Sequence, residues 1–177
     1  MRRARLALAA GLLLGVGGCA GGLYDPVPTP TTPVAVAGPS VSARMVCENE
    51  AQEDVAAALG VAAQRVETPT WTDRLYSCRY HYAGGSFLMS VKDLANDQET
   101  TRYYESLATA LGNTRDVAAL GEGAFVTRNG SVVARKDFKV LLVDDSALPP
   151  RLADTTSTPA NVAMLVAKTI MGCWVGT

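Results

Sequence analysis

The chain carries one histidine, His81, in 177 residues, and aromatic side chains make up only 6% of it. A Ser-His-acid relay would therefore have to use His81 as its base. No Gly-x-Ser-x-Gly surrounds any serine, and His81 falls mid-strand beside Arg79, where a plain polar-face residue is the simpler reading. Cys-x-x-Cys is missing, which removes the thioredoxin-like motif, and one histidine with scattered cysteines gives no zinc spacing. Gly121-Glu122-Gly123 is too short for a phosphate-binding loop and lacks the Lys-Ser/Thr that should follow it. Asp144-Asp145 is not accompanied by the further oxygen ligands of a calcium loop, so a solvated strand-end pair is expected there. No catalytic set, metal site or cofactor is expected.

An excess of charge is lacking as well. Sixteen basic and 17 acidic residues give a formal net charge of −1. Arg2, Arg3 and Arg5 all precede Cys19; without them 13 basic residues face 17 acidic ones, a balance of −4. That balance argues against nucleic acid as a partner, since phosphate recognition needs a basic face. It also argues against electrostatic docking on anionic lipid.

What is present begins with an address. Met1-Arg2-Arg3-Ala4-Arg5 is basic, and Leu6 to Val16 is an uncharged run of 11 residues. That run is a signal-peptide core, too short to span a bilayer, which takes about 20 residues. Val16-Gly17-Gly18-Cys19 resembles the bacterial lipobox, whose cysteine is acylated and becomes the new N-terminus. Two or more acyl chains, at about 0.8 kcal/mol per buried CH₂, hold a protein where one would not. The expectation is a signal peptide over 1–18, a lipidated Cys19 with a spacer over 19–42, and a folded domain over 43–177. The membrane would then be a partner through the lipid on Cys19, on the extracytoplasmic face. The spacer contains Pro26, Pro28, Pro30, Pro33 and Pro39, which disfavour helix and strand pairing and predict an extended segment.

Periodicity predicts the domain's elements. Cys47, Ala51, Val55 and Leu59 recur at helical spacing, and Gly60 follows as a stop. Residues 75–82 alternate, with Tyr76, Cys78, Tyr80 and Tyr82 on one face; after a turn at Ala83-Gly84-Gly85, Phe87, Met89 and Val91 continue that face. Asn96 with Glu99 resembles a capping box, opening a helix to Gly112 whose apolar stripe is Tyr103, Leu107, Ala110 and Leu111. Strands are expected over 124–128, 131–135 and 138–144, with Asn129-Gly130 as a type I′ turn and a tight turn at Lys136-Asp137. The Val140-Leu141-Leu142-Val143 run predicts a central strand covered on both faces. A last helix is predicted from Thr158 and Pro159 to Gly172, with Val162, Leu165, Val166, Thr169 and Ile170 inward. The order α-β-β-α-β-β-β-α predicts an α+β domain, a single antiparallel sheet of about five strands with helices packed on it.

With Cys19 lipidated, Cys47, Cys78 and Cys173 remain, and thiols outside the cytoplasm tend to pair. A Cys47–Cys78 bond would staple the first helix to the first strand. It would close about 32 residues, a loop for which chain entropy predicts about 3 to 4 kcal/mol. Cys173 could instead take either partner, and the cysteine left over is expected to be a buried free thiol. Tyr76, Tyr80, Tyr82, Tyr103 and Tyr104 belong first to the core and its margin, and a tyrosine-lined pocket is the best ligand-site expectation they offer.

Three motifs carry a family resemblance. They are a cysteine opening a helix that ends in Leu59-Gly60, a strand with Cys78-Arg79-Tyr80, and Leu120-Gly121-Glu122-Gly123-Ala124-Phe125 ahead of a late hairpin. In these the chain resembles short actinobacterial secreted lipoproteins that share a domain of unknown function. The resemblance implies a Cys47–Cys78 disulfide and a compact sheet with helices, similar to a PsbP-like sandwich; it implies no activity. Cys173-Trp174 departs from the pattern. The leading functional expectation is a noncatalytic envelope module that binds a protein, glycan or lipid ligand. The alternatives are an envelope hydrolase using His81 and a structural or assembly factor for an envelope complex.

Overall fold

Alternation through residues 75–93 leaves one strand face apolar, and that face organises the domain. The computed structural model describes residues 38–152 and 159–174, so the expectations for the signal peptide, Cys19, most of the spacer and the Thr158 cap lie outside the described residues. Twelve elements follow in order: α1 (Val41–Met45), α2 (Asn49–Leu59), β1 (Arg65–Val66), β2 (Thr70–Thr72), β3 (Leu75–Tyr82), β4 (Gly85–Asp93), α3 (Asp97–Leu111), β5 (Asn113–Asp116), β6 (Gly123–Thr127), β7 (Val132–Lys136), β8 (Lys139–Asp144) and α4 (Pro159–Cys173).

The domain is α+β, with one antiparallel sheet of eight strands rather than five. The strand order is β1-β3-β4-β8-β7-β6-β5, with β2 also paired to β3. The three unforeseen strands are the short edges β1, β2 and β5. At two to four residues they are too brief to show a period, and β5 is exposed throughout. The join between halves is β4 on β8, with Met89 opposite Val143 and Val91 opposite Leu141. β8 is central, between β4 and β7, as its apolar run predicts.

Helices cover both faces. On one, α1, α2 and α4 pack with Cys78, Tyr80, Phe87, Met89, Val91, Leu141 and Val143. On the other, α3 lies over Phe125, Val133 and Val140 with Tyr103, Tyr104, Leu107, Ala108 and Leu111. The inner face of α4 is rotated from the expected one. Val162, Ala163, Val166, Ala167 and Ile170 are buried, whereas Leu165 and Thr169 lie at the margin. This face packs on α2 and on β7 and β8. The helix also runs through Gly172 to Cys173.

Local chemistry explains several boundaries. Gly60 ends α2 with φ +70°, and the Asn96 side chain accepts from Glu99 N at 2.9 Å to cap α3. Glu99 completes the box one residue further out, accepting from Ala95 N at 3.2 Å. The spacer ends sooner than expected, because Ser40 caps α1 by accepting from Ala43 N at 3.1 Å. The Asn129-Gly130 turn is not type I′. Of the two only Gly130 has a positive φ, +100°, and a loop of three residues separates Thr127 from Ser131. The φ signature of type I′ occurs instead at Asp73-Arg74 (50° and 60°) and at Asp137-Phe138 (50° and 58°), which places Phe138 in a turn rather than in the last strand.

Candidate functional site

The disulfide joins Cys47 to Cys78, with Cα atoms 6.0 Å apart and both residues buried. It ties the chain just ahead of α2 to the middle of β3. Tyr80 reinforces the tie, its hydroxyl donating to Val46 O at 2.7 Å. Cys173 is the cysteine left over; it is free, and exposed rather than buried. It sits at the last turn of α4, and its Sγ lies 3.4 Å from Asp54 Oδ2. Partial burial, and after it the Asp54 carboxylate, raises its pKa, so the thiol is not an activated nucleophile.

The five tyrosines do not share a cleft. Tyr76, Tyr80 and Tyr82 lie on the face covered by α1, α2 and α4, whereas Tyr103 and Tyr104 are carried by α3 against the other face. Tyr80 and Tyr82 stack on Phe87, with ring centroids 4.8 and 5.7 Å away. Burial pushes the Tyr82 hydroxyl up to about 12 and raises that of Tyr80 further. Tyr103 lies beneath the Lys92 ammonium, and Tyr104 meets Phe125 edge-on with Arg135 above it. None of the five lines any cavity described below. Strand period groups Tyr76, Tyr80 and Tyr82 on one side of the sheet, but Tyr103 and Tyr104 belong to α3, and their place on the other side cannot be seen without knowing which face α3 takes.

His81 is on the polar face of β3. Its Nε2 lies 2.7 Å from Glu67 Oε1 and 3.1 Å from an Arg65 guanidinium nitrogen. A protonated Nε2 donates to Glu67; an unprotonated one accepts from Arg65. The His81 contact lowers the Glu67 pKa. Across the strand, the Ser86 hydroxyl is taken by Arg79 at 3.2 Å rather than by His81. The arrangement is a surface charge cluster, with no nucleophile positioned against the ring.

Asp144-Asp145 is not the solvated pair expected from sequence. Asp145 is 1% exposed, since it follows β8 into the turn behind Ser131. The Ser131 hydroxyl lies 3.2 Å from Asp144 Oδ1 and 3.1 Å from Asp145 Oδ1, and its single proton can serve one of them at a time. Desolvation pushes the Asp145 carboxyl up to about 6 against the pull of Ser131. Among the described residues no group of three or more His, Cys, Asp or Glu could hold a metal ion.

A cavity of about 380 Å³ was not foreseen. It lies at the end of the sheet where the chain enters the domain. β4 ends there, and its last residues clasp both I′ turns: Asp93 N donates to Arg74 O and Leu94 N to Phe138 O, each at 2.9 Å. Asp93 also anchors α1. Its two carboxylate oxygens accept from Ser40 N and Ser40 Oγ, each at 2.8 Å. The cleft between these parts is lined by Val41, Trp71, Leu94 and Phe138, with Arg44, Arg74 and Lys139 among them. Val41 and Phe138, 72% and 51% exposed, are the two large hydrophobic residues that stand out in solvent among those described.

Most polar groups here are occupied, but Asp137, which also lines the cleft, has a buried Oδ2 with no hydrogen-bond partner among the described residues. Arg74 pairs with Glu99 at 3.2 Å. Arg44 donates to Pro39 O at 2.7 Å and Lys139 to Asp137 O at 2.9 Å, so these two cations meet carbonyls rather than carboxylates. No histidine or cysteine lines the cleft. The turn is the signal that sequence reading missed. A phenylalanine at positive φ is unfavourable, and this one carries its ring into solvent.

Comparisons with protein-family models, curated proteins and solved structures return no match to this chain. No helix among the described residues is long and apolar enough to cross a membrane.

Proposed function

We propose that the chain is a lipid-anchored extracytoplasmic lipoprotein, a noncatalytic binding module of the cell envelope, whose recognition surface is the cleft between α1 and the two hairpin tips. One observation carries the reading: the two exposed large hydrophobic residues among those described, Val41 and Phe138, line one cavity of about 380 Å³. Solvent-exposed apolar side chains grouped at a concave site mark a binding surface. The anchor rests on the Arg-rich start, the 11-residue apolar run and Val16-Gly17-Gly18-Cys19. The likeness to actinobacterial lipoproteins and to a PsbP-like sandwich belongs to the same reading; the Cys47–Cys78 bond that this likeness implies supports it.

The test is mass analysis of the chain expressed in a bacterium that processes lipoproteins. The expected product begins at Cys19 and bears diacylglycerol, and Cys19→Ser releases the protein from the membrane fraction. An unmodified thiol at that position, or cleavage elsewhere, overturns the anchor. Turnover of a substrate abolished by replacing one polar residue overturns the noncatalytic part.

A further inference from the structure

The cleft and the anchor point share one end of the domain, and that placement carries an inference about the occupant. Gly38, the first described residue, itself lines the cleft, followed by Pro39, Ser40 and Val41. Eighteen residues separate Cys19 from Gly38. Even fully extended as polyproline they reach no more than about 55 Å. The Ser40–Asp93 clasp fixes where that tether leaves the folded body. Any acyl group on Cys19 is thus covalently tied, through those eighteen residues, to the rim of the cleft.

The chemistry of the rim suits a lipid surface. Val41 and Phe138 project into solvent, and Trp71, half-buried on β2 and of the residue type best matched to the headgroup boundary, lines the same cleft. Arg44 and Lys139 flank these side chains without a carboxylate partner. The mature chain's net acidity opposes long-range attraction to anionic lipid, but a tethered surface does not need such attraction. The anchor supplies a high effective concentration, so a contact too weak to recruit a free protein still orients a held one.

We propose that this rim is a membrane-docking surface: Val41, Trp71 and Phe138 enter the interfacial region of the bilayer that carries the Cys19 lipid, with Arg44 and Lys139 at the phosphate level. The occupant of the cleft is therefore membrane lipid. This rests on the lipid-anchor reading of the preceding section.

The chain has two tryptophans, Trp71 in the cleft and Trp174 in the core, so fluorescence can report on the surface directly. The acylated full-length product is reconstituted into phosphatidylcholine–phosphatidylglycerol vesicles with plain or brominated acyl chains. Emission is expected to fall in the brominated vesicles. The loss should disappear in Trp71→Phe, which retains only Trp174. It should also diminish in Val41→Ser/Phe138→Asn, while flotation with the vesicles is retained. Asn tolerates the positive φ of the turn better than Phe, so that variant is not expected to misfold. Equal emission in both vesicle types from a protein that floats overturns docking and leaves the anchor standing. Failure of the wild type to float overturns both. Emission that instead changes with protein density, alike in both vesicle types, assigns the cleft to a second copy and overturns lipid as its occupant.

Discussion

Asp145 shows how much one buried side chain can ask of its surroundings. Its carboxyl titrates near pH 6 in the folded chain, against an ordinary value of 3.8, because desolvation disfavours the charge. Between those two values the folded state binds more protons than the unfolded state. This group's contribution therefore favours folding at low pH, falls as pH rises from about 4 to 6, and is fully lost above the folded value. The cost at neutral pH is about 2 to 3 kcal/mol. Asp145→Asn removes the charge and retains an oxygen for Ser131. Urea unfolding of both proteins should show the variant gaining on the wild type by about that amount between pH 4 and 7. A difference that stays flat across that range would mean that Asp145 is hydrated. The aspartate pair was legible in sequence; its burial was not, because residue type does not say whether a strand end turns outward or behind a neighbouring hairpin.

At the scale of the element, glycines and turns decide more than helices do. Gly121 has φ +67°, and a Cβ there would meet Arg135 O at 2.4 Å and the Met171 side chain at 2.8 Å. Gly84 has φ +84° but open space around it. Gly84→Ala should therefore cost about 1 to 2 kcal/mol from backbone strain alone. Gly121→Ala should cost about 2 to 4 kcal/mol, because the β7 backbone must also move. Equal midpoints for the two variants in denaturant titrations would contradict this. The Leu120-Gly121-Glu122-Gly123-Ala124-Phe125 motif thus has a packing reason. Leu120 and Phe125 are buried on opposite sides of the sheet, and Gly121 lets the segment lie against β7. Sequence periodicity located α2, α3, β3, β4, β6, β7 and β8 because each is long enough to display its repeat. It missed α1, β1, β2 and β5, whose formation depends on partners such as Asp93 for Ser40 and His81 for Arg65.

For the whole molecule, the Cys47–Cys78 bond is a covalent constraint within the core. It spans a sequence separation of 31 residues. The Cys47→Ala/Cys78→Ala double variant should lose about 3 to 4 kcal/mol, read as a lower midpoint in urea. Cys173→Ala should change little, since that thiol is exposed and bonded only to Asp54. If the two variants were equally stable, the bond would not constrain the unfolded chain.

The amino-acid order alone determined the class of fold and the long elements, because each is written in local spacing: periods of two and 3.6, a glycine after a helix. Tertiary structure decided which sheet face each helix covers, and with it the separation of the tyrosines. It also decided the burial of Asp145 and the meeting of α1 with two hairpin tips around an apolar cleft. These depend on residues far apart in the chain. Ser40 and Asp93 are 53 positions apart, and the contact that closes one side of the cleft exists only once β4 has paired with both of its neighbours.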